Sequence, residues 1–230
     1  MGGVVLSSTG EGDISYATTD DSGAVTTEGA TGENYNVKFE NGTLALKDAT
    51  ITETINGYGG GISAIGNLSL VLEGASRISV TGSGEGSRGV YIRIGNLTIQ
   101  GAGELTINSH SDGIYVNGSL AIEGGTVNAT ATGMNNGVCA LGDSGSINIT
   151  GGKVNASGKG AGIYGAKSVA ISGNAAVTAQ GETHFGLQGG QYDDNFSISG
   201  NAVVTAIGNG TGATGVKAVT ENATHIILAA

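Results

Sequence analysis

The sequence predicts an all-β fold: a single-stranded right-handed parallel β-helix, or solenoid, with about 24–29 residues per coil and an atypical N-terminal capping segment. Three observations predict it: a recurring Gly-apolar step, three short alternating runs per unit, and a glycine turn after the second run. The step recurs as Gly61-Ile62, Gly89-Val90, Gly113-Ile114, Gly137-Val138, Gly162-Ile163, Gly186-Leu187 and Gly215-Val216, at spacings of 28, 24, 24, 25, 24 and 29. A fixed period of this size marks a repeat architecture.

Each unit continues with a second run, as in Leu97-Thr98-Ile99, Leu120-Ala121-Ile122 and Ile147-Asn148-Ile149. A turn glycine follows two residues later, at Gly74, Gly101, Gly124, Gly151, Gly173 and Gly200. A third run completes the unit, as in Leu105-Thr106-Ile107 and Val154-Asn155-Ala156. Runs that alternate with period two are strands with one buried face. Strands this short gain a continuous apolar interior only when coil stacks on coil, and the crossover rule makes the path right-handed. At ~4.8 Å per coil, about eight coils give a rod on the order of 40 Å long. First-run strands are expected near 62–65, 90–94, 114–117, 138–141 and 163–165.

Residues 1–43 fall outside the repeat and hold much of the local acid, including Glu11, Asp13, Asp20, Asp21, Glu28, Glu33 and Glu40. They are expected to cap the open end of the solenoid, and 44–230 to form it, within one structural domain. At the other end, apolar Ile226-Ile227-Leu228 reads as a closing strand or as a truncation of a longer protein.

Composition excludes several classes. Forty-five glycines without a Gly-X-Y period and without proline exclude collagen. Charged residues are only 12% against 38% hydrophobic, which argues for a packed chain over a disordered one. A net charge of −10 with nine scattered basic residues argues against nucleic acid. No run reaches membrane-spanning length, and residues 1–30 lack the apolar stretch of a leader, so any leader is expected to have been removed. The single Cys139 excludes a disulfide framework and reads as a small residue of the repeat.

The outward column of the first run is expected to be Ser63, Tyr91, Tyr115, Cys139, Tyr164, Gln188 and Lys217. Three tyrosines in one stripe, in a chain only 4% aromatic, suit a surface on which sugar rings stack. Cross-strand stabilisation is the alternative. Arg88, Asp112 and Asn136 lie beside the stripe as hydrogen-bonding candidates. Asp112, Asp143, Asp193 and Asp194 are the acids nearest a catalytic arrangement, but no convergent pair is legible, so no enzyme is expected. Arg88 and Asp112 read as a solvated ion pair. His110, His184 and His225 lack ligand spacing. The Asn-X-Ser/Thr triplets at Asn67, Asn96 and Asn148 read as turn and strand-face residues.

The segment from Asp112 to Val127 resembles the repeats of bacterial right-handed β-helix proteins called carbohydrate-binding domain-containing proteins. That group includes a clostridial cellulose- and pectin-binding, calcium-binding module. The segment is also similar to repeat-rich secreted proteins of gut Firmicutes. The resemblance covers roughly residues 40–218 and rests mostly on core apolars and turn glycines. It implies a secreted or cell-surface module that binds polysaccharide or mediates adhesion, with calcium held near Asp112 and Asn136. In this family an acidic pair often precedes the Gly-Ile step, whereas here Asp112 is the acid directly at that step. The expected partner is a cell-surface glycan, with no nucleic acid, no membrane insertion and a monomeric domain. The alternatives are a structural stalk without ligand and a degenerate polysaccharide lyase or glycoside hydrolase.

Overall fold

A computed structural model describes residues 4–6, 13–53, 59–82, 86–190, 195–208 and 225–229. The described residues contain strands and turns and no helix. They form a parallel β-solenoid of about six turns, with three sheets as its faces.

The first face stacks Gly59–Ala64, Ser87–Ile92, Ile114–Asn117, Val138–Leu141, Ile163–Gly165 and Leu187–Gly189. The second continues through Leu68–Glu73, Leu97–Gly101, Leu120–Ile122, Ser146–Ile149, Ser168–Ile171 and Phe196–Ile198. The third runs from Thr50–Glu53 through Ala75–Val80, Glu104–Ser109, Thr126–Ala131, Lys153–Gly158, Ala176–Gly181 and Val203–Gly208 to His225–Ala229. Three of the five expected first-run strands match the observed bounds; the first two begin three residues earlier, at Gly59 and Ser87. The segment containing Ile226-Ile227-Leu228 is a parallel strand added to Val203–Gly208.

Register is strict, because a one-residue slip would turn every inward side chain to solvent. Leu97 pairs with Leu120, Leu120 with Ile147, Ile147 with Val169 and Val169 with Phe196. Val90, Ile114, Val138, Ile163 and Leu187 form the matching inner column of the first face, each no more than 3% exposed. Removing such side chains from water drives the stacking, at about 25 cal/mol per Å².

The glycine of each Gly-apolar step on the first face has a steric role. A Cβ at Gly89 would lie 2.1 Å from Ile107 Cγ2 and 2.5 Å from Gly113 O, and one at Gly113 would lie 2.5 Å from Gly137 O. These buried glycines let the corner backbone close against the third face, so they do not clear an approach to the tyrosines. The turn glycines work differently. In the two coils with paired glycines, the second takes the left-handed conformation, at Gly125 (φ 75°) and Gly152 (φ 74°), so the pair is needed where the expectation placed one residue.

The N-terminal part is antiparallel. Strands β1 (Ile14–Thr19), β2 (Val25–Thr26), β3 (Val37–Glu40) and β4 (Thr43–Lys47) extend the second face. β1 pairs with β2 and β3, and β3 with β4, all antiparallel. β4 then joins Leu68–Glu73 in parallel, with Leu44 opposite Leu70 and Leu46 opposite Leu72. Residues 4 and 6 pack onto the core, beside a cleft of about 420 Å³ lined by Phe39, Leu44, Ile62 and Leu68.

Candidate functional site: the tyrosine column

Ser63, Tyr91, Tyr115, Cys139, Tyr164 and Gln188 are paired residue to residue along the first face, as the alternation predicts. Lys217 lies outside the described residues, as do Asp193 and Asp194. The column is interrupted, however. Cys139 is only 2% exposed although it belongs to the outward set. Burial pushes its thiol far up, with the Asp112 charge adding to the effect, so it stays protonated and unreactive.

Tyr91 and Tyr115 do not lie side by side as a flat surface. Their ring centroids are 5.4 Å apart and their planes cross at 77°. Edge-to-face packing of this kind is favoured by the ring quadrupoles. Arg88 is set against both rings, its guanidinium carbon 4.6 Å from the Tyr91 centroid and 4.4 Å from the Tyr115 centroid. A planar cation over two ring faces gains from both. Tyr115 is half-buried, and desolvation raises its phenol pKa, with Cys139 contributing next.

A second column stands three residues earlier, at the corner. Gly89 N donates to Asp112 O, Gly113 N to Asn136 O, Gly137 N to Ala161 O and Gly162 N to Phe185 O. Arg88, Asp112, Asn136, Ala161 and Phe185 therefore stack in successive coils. Their side chains form a ladder. Arg88 Nε donates to Asp112 Oδ2 at 3.4 Å. Asn136 N and Nδ2 both donate to Asp112 Oδ1, at 3.1 and 3.2 Å, and Ala161 N donates to Asn136 Oδ1 at 2.9 Å.

The ion pair is not solvated, contrary to expectation: the Arg88 and Asp112 side chains are 15% and 4% exposed. Burial raises the Asp112 pKa, while the Asn136 amide bond and the Arg88 charge oppose the shift. Beside this ladder, Ser87 Oγ is buried without a hydrogen-bond partner.

These bonds decide what the ladder can hold. Calcium takes six to eight oxygen ligands. Here both Asp112 oxygens and Asn136 Oδ1 already accept hydrogen bonds, and a guanidinium lies against the carboxylate. The donor set as folded does not fit a calcium ion. Among the described residues no group of three or more His, Cys, Asp or Glu comes together for a metal. Asp112 is equally enclosed with respect to a sugar, so the ladder positions Arg88 and leaves Tyr91, Arg88, Tyr115, Asn136 and Tyr164 as the partly exposed members of the set, Asn136 with its side chain already bonded within the ladder.

Elsewhere, Asp143 and His184 are exposed at turns. The turn asparagines form a ladder of their own, Asn67 Oδ1 accepting from Asn96 N and Asn96 Oδ1 from Ser119 N, both at 2.9 Å. One cluster escaped the sequence reading altogether. On the cap, Tyr16 and Tyr35 have centroids 5.5 Å apart, and Lys47 Nζ lies 5.6 Å from the Tyr35 centroid. The signal was faint, since no repeat places Tyr35 beside Tyr16.

Together the sheets and columns define the class, a parallel β-solenoid with an aromatic–guanidinium edge on one face. No family model, curated protein or solved structure matches the chain.

Proposed function

We propose that the chain is a non-catalytic recognition module of a secreted or cell-surface protein that binds polysaccharide, with Tyr91, Arg88 and Tyr115 as its main contact and Tyr164 as an outlying one. The observation that carries the proposal is the aromatic–guanidinium edge. Partly exposed rings and a cation are fixed by ladders in three successive coils, so a ligand meets them without ordering them first. At ~4.8 Å per coil the tyrosines span about 15 Å, the reach of several sugar rings. A sugar would meet ring edges and the guanidinium, and contacts this small gain usable strength by repetition along a polymer.

A polysaccharide pull-down panel tests the proposal. Tyr115→Ala should weaken retention roughly tenfold, the equivalent of about 1.4 kcal/mol, and Tyr164→Ala less. Chelation with EDTA should leave retention unchanged, given the enclosed Asp112. A second proposal, a stalk without ligand, is favoured by the engagement of both rings with Arg88. It gains if the parent is retained on no glycan, or if the Tyr91, Tyr115 and Tyr164 triple alanine variant unfolds outright.

A further inference from the structure

We propose that the cap carries a second, separate carbohydrate contact, built from Tyr16, Tyr35 and Lys47, that takes sugars bearing an anionic group. It shares with the reading above only the premise that the ligand is a glycan.

The placement follows from alternation. On β1, β3 and β4 the inward positions are Ala17, Val37, Phe39, Leu44 and Leu46, which pack on the core. Tyr16, Lys38 and Lys47 alternate with these and face away from it. Tyr16 pairs in register with Lys38, and Lys38 with Ala45. Tyr35, just ahead of β3, comes back beside Tyr16 with its ring tilted by 46°. The two rings therefore form an open V on the outer surface. Their apolar area is not needed for the core, which is already filled from the other side. Next to the V, Ala45 and Val71 are opposite one another and short, so the floor beside the rings is low.

The charges give the site its preference. Lys38 Nζ lies 2.7 Å from Glu40 Oε2, so this cation is matched within the cap. Lys47 is exposed, and the contact described for its amine is the Tyr35 ring. Glu73 is its register neighbour, yet no ion pair within 4 Å joins them. Arg88, the cation of the first face, is by contrast tied to a buried carboxylate. In a chain with 19 acidic and nine basic residues, a lysine left unmatched beside two sugar-stacking rings selects for an anionic partner. A sugar face on the V and a carboxylate or sulfate on Lys47 would use both.

The chain has no tryptophan, so intrinsic emission reports on its tyrosines. The experiment titrates the full chain with an alginate hexasaccharide, a heparin hexasaccharide and neutral cellohexaose, following tyrosine emission and heat. At least one anionic probe should bind and cellohexaose should bind the cap no more than weakly, with affinity falling several-fold between low and high salt. The alginate and heparin arms distinguish carboxylate from sulfate. Lys47→Gln should weaken the anionic probe at least fivefold, Lys47→Arg should restore most of it, and Tyr35→Ala should weaken it further. Tyr115→Ala should leave it unchanged. If Lys47→Gln binds like the parent, or neither anionic probe binds, the proposal is overturned. If the loss follows Tyr115 and not Lys47, the cap site is overturned while the first-face proposal stands. Should Tyr35→Ala fail to fold, the Lys47 pair still decides.

Discussion

The cap and the coils bury apolar side chains on the same core with opposite strand geometry. In the coils, parallel register sets each residue on its counterpart one coil on, so Arg88, Asp112 and Asn136 link into a ladder across three coils. In the cap, antiparallel register sets Tyr16 on Lys38 and Val37 on Leu46, residues with no shared position in a repeat. A parallel stack propagates one arrangement along the axis; an antiparallel meander makes each contact once. Damage in the cap should therefore stay local, because each solenoid layer touches only its neighbours.

The sharpest way to break the comparison is a charge in the middle of the stack. Ile122 is fully buried, with Ile99 and Ile149 as its neighbours. Ile122→Asp buries a charge without a partner, and the expected penalty of several kcal/mol should abolish the cooperative thermal transition. Next comes the cap. Leu46 is fully buried on β4, and Leu46→Ala should destabilise locally by about 2–5 kcal/mol. Hydrogen exchange should then rise over residues 14–47 and stay at parent levels beyond residue 97; faster exchange throughout would show that the cap and coils are one cooperative unit.

The smallest effect concerns the ladder. Arg88→Ala leaves Asp112 without its cation and should cost about 2–3 kcal/mol near neutral pH, below the full penalty for a buried pair because Arg88 keeps some solvent contact. The pH dependence has a definite sign. The folded Asp112 pKa is raised, chiefly by burial, so its contribution to stability is fully present below the unfolded pKa and is lost as pH rises through the folded one. The deficit of the Arg88→Ala variant should accordingly shrink on acidification towards pH 4, as measured by denaturant melts. A deficit that does not change with pH would mean that Arg88 acts through its packing on Tyr91 and Tyr115.

Whatever repeats was legible. The Gly-apolar step located the first face, alternation assigned Tyr91, Tyr115 and Tyr164 to one column, and Arg88, Asp112 and Asn136 were legible as hydrogen-bonding residues beside it. What depends on depth or side-chain direction was not. Asp112 read as solvated because adjacent turn residues usually are; the corner glycines pull the backbone inward and bury it. Cys139 read as outward, but one outward column does not imply one exposure when its neighbours on both sides are tyrosines. Ring planes at 77° are fixed by where a guanidinium fits, which no pattern encodes. Tyr35 meets Tyr16 only through a hairpin register outside the repeat.

The corner glycines have a consequence for how such a chain can change length. Because Gly113, Gly137 and Gly162 occupy equivalent corners, an excision between two of them rejoins like with like. Removing Val138 through Gly162 would set Ile163 directly after Gly137 and bring Tyr164 onto Tyr115, closing the gap now held by Cys139. The same cut between Gly89 and Gly113 would delete Arg88's neighbour Asp112 and leave the guanidinium facing an amide. Length is thus adjustable in whole coils, but the joints are not interchangeable: those beyond Asn136 can be spliced freely, and those that carry the charge pair cannot.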